Sequence, residues 1–258
     1  MKLTYVKGTL TSLLHDDTEF CSQQRKEHLC FPVFGPVGPR SEIRVGDHVF
    51  SHDQHGIAPN LDFIRSGDAR FYQLYWGEPV VNRKYAADHS RPEHVSFLAY
   101  LLEKTFNPKE DGALEVDFSI TNNSLQPMPF MFAWHPAFLI GGDVSDGMFV
   151  QGINGFTLSE VIRASEMKPN HALLLKGVSQ LHYMNGNYQI HYQSDDFNNL
   201  VVWSPKGADY VCIEPVSTLL KLPVSDDTYF LDTQGFDVLG PSKKKDYSLR
   251  FMFSNERA

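Results

Sequence analysis

Two stretches share one arrangement: "FAWHPAF" at residues 132–138 and "DYVCIEPVS" at residues 209–217 each run an apolar strand pattern into one ionisable residue followed by proline. Proline disfavours the α region for the residue before it, so His135 and Glu214 are both expected to be extended. Proline also lacks an N–H and gathers at strand ends and sheet edges. Each group is therefore expected on a rigid element, close to a rim from which a ligand reaches it. An imidazole and a carboxylate held this way are the usual partners for general acid–base chemistry. A histidine among aromatics is, on composition alone, more often a hydrogen-bonded core residue. A carboxylate at the end of an apolar run is harder to dismiss, because burying it without a partner is costly.

Other residues offer weaker chemistry. Arg40 follows Pro39 in a Gly/Pro loop, where it is suited to hold an anion or a hydroxyl, or simply to sit on the surface. His52 and His55 are three apart, a spacing that shares one face of a helix but opposite faces of a strand. With His135 they make the one metal set worth naming, and it is the weaker reading. Cys21, Cys30 and Cys212 are too few and too irregular for a disulfide framework or a zinc site, and Cys212 reads as a small buried hydrophobe.

The elements that must carry these groups read as strands. In "ALEVDFSITNNS" Leu114, Val116, Phe118 and Ile120 alternate with Glu115, Asp117, Ser119 and Thr121, a half-buried strand ending at an Asn-Asn-Ser turn. "MPFMFAWH" reads as one strand with Phe130, Phe132 and Trp134 on one face and Met131, Ala133 and His135 on the other. "NYQIHYQS", "YVCIEP" and "YSLRFMF" follow, punctuated by "KEDGA", "IGGD", "NGNY", "PKGAD" and "LGPS". "RPEHVSFLAYLLEKTF" suits either helix or strand, and helical periodicity is weak elsewhere. The pattern predicts an all-β sandwich or barrel, with residues 1–258 as one domain.

Composition narrows the function. The 258 residues include 42% hydrophobic and 21% charged side chains with a net charge of −8. The one basic run, Lys243, Lys244 and Lys245, reads as a solvated turn, so nucleic acid is not an expected partner. No apolar run approaches the roughly 18–20 residues that span a bilayer. The N-terminus lacks an apolar core with a small-residue cleavage site. A cytoplasmic protein that does not engage membranes is expected.

Taken in order, the fragments "FPVFGPVGPR", "QHGIAPNLDF", "LEVDFSITNNSLQPMPFMFAWHPAF", "VVWSPKGADYVCIEP" and "LGPSKKKDYSLRFMF" resemble the aldose 1-epimerase (galactose mutarotase-like) family. The likeness is to the short branch that includes glucose-6-phosphate 1-epimerase-like members, and it runs from about Cys30 to the end. It implies a large antiparallel β-sandwich whose concave face binds sugar, with no metal and no nucleotide. It implies that Glu214 is the general base and His135 the general acid in exchanging the α and β anomers of an aldose or aldose phosphate. His55 and Arg40 would hold sugar hydroxyls, and Trp134, Phe138 and Trp203 could stack on a pyranose. The sequence departs from the pattern in three places. Pro59 stands in "HGIAPN" where many relatives have arginine, the segment before Cys30 is short and polar, and no aspartate clearly matches the family's sugar-binding one, Asp143 and Asp146 being the nearest guesses. A carbohydrate-binding protein without catalysis is the alternative on the same fold.

Overall fold

A computed structural model describes residues 1–35, 41–167, 172–219, 229–230 and 235–255. Its frame is two antiparallel sheets packed face to face. The larger has nine strands, in the spatial order Asn154–Thr157, Met148–Gln151, Gln180–Asn185, Tyr188–Gln193, Lys244–Asn255, Ala113–Asn122, Tyr100–Pro108, Arg70–Tyr75, Ile64–Arg65. The smaller runs Leu173–Lys176, Asn199–Trp203, Tyr210–Val216, Ala133–His135, His28–Cys30, with Ala137–Leu139 also paired to Tyr210–Val216.

The alternation read from "ALEVDFSIT" holds. Leu114, Val116, Phe118 and Ile120 are buried while Asp117 is exposed and Glu115 and Thr121 are partly so; Ser119, on the second face, is buried as well. The ambiguous "YLLEKTFNP" is a strand, Tyr100–Pro108, burying every second residue from Tyr100 to Phe106. Tyr100, Leu102 and Phe106 pack on the pleated inner face, where a helix would have scattered them.

The inner faces meet through aromatic rings. Trp134 of the smaller sheet contacts Phe106, Phe118 and Phe251 of the larger, with centroids 6.2, 6.0 and 5.8 Å apart. Phe138 lies 5.0 Å from Phe251. Burial of such rings is the dominant stabilising term for a sandwich of this kind.

Two expectations need correction. "MPFMFAWH" is not one strand: Met128–Phe130 pairs with Asp237–Leu239, and Ala133–His135 belongs to the six-stranded sheet. Every residue from Met128 to Phe138 is therefore buried, and so are both faces of the alternation. The second correction is a helix, Leu158–Met167, which buries Leu158 and Val161. Its start is set by a capping box in which Thr157 Oγ1 accepts from the Glu160 N–H (3.1 Å) while the Glu160 carboxylate accepts from the Thr157 N–H (2.7 Å).

Candidate active site

The smaller sheet explains how two distant dipeptides meet. Ala133 pairs with Val216 and Ala137 with Cys212, one register seen on either side of a gap. Carried through the gap, that register sets His135 opposite Glu214. The gap falls where Pro136 and Pro215 remove two of the N–H groups the ladder would use. Pro215 thus sits within the Tyr210–Val216 strand rather than at its end. On the other side, the same register pairs His135 with His28. His28, His135 and Glu214 are therefore one cross-strand row over three adjacent strands, the arrangement in which opposite side chains touch.

His135 Nε2 lies 3.4 Å from Glu214 Oε1, and both side chains are nearly closed off, at 4% and 3% exposure. The His28 ring lies beside the His135 ring, with centroids 4.5 Å apart. His55 completes the cluster from a different element, edge-on to His135 at 5.3 Å and 5.2 Å from His28. Its turn is tied to the end of the His28–Cys30 strand. The Phe31 N–H donates to the His55 carbonyl (3.2 Å) and the Ile57 N–H to the Phe31 carbonyl (2.8 Å). Gly56, at φ +74°, is required there, since a Cβ would lie 2.2 Å from the Phe31 oxygen. His55 itself adopts φ +69°, a conformation that costs a non-glycine residue on the order of 1–3 kcal/mol and persists where the surroundings impose it.

Burial dominates the electrostatics. It pushes the Glu214 carboxyl from 4.5 up to about 8, with Arg25 pulling the other way. It holds His135 and His55 well below the usual imidazole range and takes His28 down to about 3, with neighbouring charges adding to the effect. The enclosed cluster thus favours neutral imidazoles and a neutral carboxyl, because charge is stabilised less there than in water. Two of its nitrogens, Nδ1 of His55 and Nδ1 of His135, are buried without a hydrogen-bond partner. Buried polar atoms are rarely left so, and in a site they are the places a ligand fills.

Around the cluster stand residues that the sequence reading passed over. Arg25, three residues before His28, lays its guanidinium over the Trp203 ring at 5.7 Å, and Trp203 stands edge-on to His135 at 6.5 Å. Lys84 Nζ donates to the carbonyl and side-chain oxygens of Gln54 (3.0 and 3.4 Å), the residue before His55. Beneath it Asp53 is saturated by Asn82 (2.8 Å), Arg91 (2.5 Å) and the Gln54 N–H (2.6 Å). His28, Arg25, Lys84 and Trp203 keep part of their surface, so the cluster opens toward them.

His55, His135 and Glu214 are therefore brought together. Arg40 lies outside the described residues. His52 points elsewhere, against Phe97 at 5.4 Å, and His28 takes the place given to it in the metal set. Asp143 and Asp146 are exposed at a turn beside the helix and lie outside the cluster. Trp134 and Phe138 are wholly buried in the core, which leaves Trp203 as the aromatic that can meet a ligand. Cys212 is a buried thiol whose pKa burial raises well above the usual value, as a small hydrophobe's would be. His28, His55 and His135 do offer ligand atoms within 4.8 Å of one another, as do His135, Cys212 and Glu214. Arg25 and Lys84 add positive charge beside those sets, which opposes a divalent cation.

No protein-family model matches the chain, and no curated protein does. Solved structures do. A galactose mutarotase-like protein from Lactobacillus casei is 19% identical over 95% of this chain and 93% of its own, with a TM-score of 0.69. A galactose mutarotase related enzyme from Lactobacillus acidophilus is 18% identical over 95% and 90%, with a TM-score of 0.70. An aldose epimerase homologue from C. elegans is 11% identical over 96% and 95%, with a TM-score of 0.54. The chain has the galactose mutarotase-like fold, as the sequence resemblance implied.

Proposed function

We propose that the chain is an aldose 1-epimerase, exchanging the α and β anomers of an aldose or aldose phosphate at the His28–His135–Glu214 row. The observation that carries the reading is the contact of His135 with Glu214 across the two-proline gap, in a site that holds both groups away from water. The exchange needs one proton taken from the anomeric O1 hydroxyl and one delivered to the ring oxygen O5. The C1–O5 bond then opens, the aldehyde turns about C1–C2, and O5 attacks the other face of the carbonyl as the protons return. Glu214 takes the O1 proton and His135 gives one to O5.

The pKa directions fit those roles once the pair is counted together. A neutral carboxyl beside a neutral imidazole holds one proton, as does a carboxylate beside an imidazolium. Moving it between the two groups changes no net charge in the enclosed site. The same single proton makes the pair a matched acid and base, and a bound sugar that hydrogen-bonds both groups can select the second form. In this reading His55, whose Nδ1 is unpartnered, holds a sugar hydroxyl, and Trp203 meets an apolar sugar face.

Exchange NMR on a panel of hexoses, pentoses and hexose 6-phosphates tests the reading. Line exchange faster than in buffer, lost in Glu214→Gln, is expected. Saturable binding with no exchange on any sugar would instead make the protein a carbohydrate binder.

A further inference from the structure

Arg25 and Lys84 do nothing that the acid–base reading requires, yet both flank its cluster. Arg25 lies over Trp203, which stands edge-on to His135, and Lys84 is held on Gln54, the residue before His55; both add to the depression of the His28 and His55 pKa values. Among the described residues neither forms an ion pair. Lys84 is held by neutral amide oxygens, and the one buried carboxylate near it, Asp53, is already taken by Arg91 and Asn82. Arg25 Nε is buried and has no hydrogen-bond partner. Side chains of this kind normally find a carboxylate, because a guanidinium offers five donors in a fixed fork.

The local charge is accordingly positive. Arg25 and Lys84 contribute one charge each, the three imidazoles none, and the Glu214–His135 pair with its single proton none. Arg91 pairs with both Asp53 and Asp88, so that group carries one negative charge, on the solvent side at Asp88. Two positive side chains without an ion-pair partner among the described residues therefore border the site, in a chain whose net charge is −8. A half-buried cationic rim of this kind concentrates anions and holds them more strongly than a water-exposed one.

We propose that Arg25 and Lys84 are specificity-determining residues that bind an anionic group on the sugar, so that the site takes charged aldoses in preference to neutral ones. The inference rests on the epimerase reading for the word aldose. The shared chemistry is a phosphate ester or a carboxylate carried on the sugar away from C1. Arg25 offers paired N–H donors to two anionic oxygens, and Lys84 a point charge to a third.

The test compares kcat/KM for anomer exchange of a hexose, its 6-phosphate and its uronic acid. The charged sugars are expected to exceed the neutral one by at least tenfold, with the advantage shrinking as salt is raised. Arg25→Gln and Lys84→Gln are each expected to reduce the charged-to-neutral ratio at least fivefold, and Arg25→Lys to keep part of it. The relative rates of the phosphate and the uronic acid decide which anion the rim fits. Equal kcat/KM for neutral and charged sugars, or variants that lower both alike, would overturn the proposal while leaving the epimerase standing. If no sugar exchanges at all, calorimetry with hexose 6-phosphate and with inorganic phosphate decides the anion site on its own. Binding lost in Arg25→Gln supports it, and no binding to wild type sinks it.

Discussion

Glu27 and His28 are neighbours in the chain, as are Trp134 and His135, yet each pair divides between opposite faces of the same two strands. On the inner face Glu27 accepts from Lys104 Nζ (2.6 Å), Trp134 Nε1 (3.0 Å) and the Leu10 N–H (2.9 Å). Lys104 comes from the larger sheet and is 1% exposed, so this buried ion pair ties the two layers together. On the outer face His55, His135 and Glu214 are also buried and His28 is half-buried beside them, but two of their nitrogens have no partner. Both regions bury ionisable groups, and they differ in satisfaction. A completed polar network specifies structure, whereas the open nitrogens of the outer cluster are those the proposed sugar site would use.

The comparison is broken most sharply by activity. Glu214→Gln and His135→Ala are each expected to lower kcat/KM for anomer exchange by about 10²–10⁴-fold, the usual share of a positioned acid or base, with circular dichroism unchanged. Glu27 and Lys104 should answer in stability instead. Lys104→Met leaves a buried carboxylate uncompensated and is expected to cost about 3–5 kcal/mol in urea unfolding. If Lys104→Met were silent in unfolding, or Glu214→Gln cost stability and spared exchange, the division between the two faces would fail.

The pH dependence sharpens the contrast. Glu214 keeps its proton in the folded chain up to about 8, whereas the unfolded chain releases it near 4.5. The folded state therefore binds more protons across that window, and stability falls as pH rises through it, by on the order of 2–4 kcal/mol. Glu214→Gln removes this slope, so its urea midpoint should exceed that of wild type at pH 8 and converge with it near pH 4.5. Exchange should follow the same proton, with kcat/KM declining above about pH 8 as the pair loses the one it shares. A profile flat from pH 7 to 10 would show that His135 is not the donor.

How much of this was legible follows from sequence distance. The inner-face alternation of residues 114–120 is a local property, and it survived intact. His135 and Glu214 announced themselves through the prolines beside them, and the proline gap turned out to be the feature that leaves the two side chains facing each other. His28 carried no such flag. It lies in the polar segment before Cys30, and only the pairing of His28–Cys30 with Ala133–His135 gives it a role. Arg25 and Lys84 were invisible for the same reason, since one reaches the site over Trp203 and the other by way of Gln54. "MPFMFAWH" misled because its alternation is real while both its faces are buried, so the period could not show that the chain changes sheets.

His52 and His55 offer the same lesson at the smallest scale. They are three residues apart and both buried, but His52 ends a strand with its ring against Phe97 and stands apart from the imidazole cluster. Neither of its nitrogens has a partner, and burial lowers its pKa to about 3. The unfolded chain takes up a proton near 6.5 that the folded chain refuses, so His52 withdraws stability as pH falls from 6.5 toward 3. His52→Leu removes both the unsatisfied nitrogens and that proton, and is expected to stabilise by about 1 kcal/mol at pH 7 and by more at pH 5. Its kcat/KM should stay within about twofold of wild type, whereas His55→Leu, stripping a hydroxyl partner from the site, should lose at least tenfold. A His52→Leu variant as impaired as His55→Leu would mean that enclosure alone, and not the convergence on His135, marks the functional histidines of this chain.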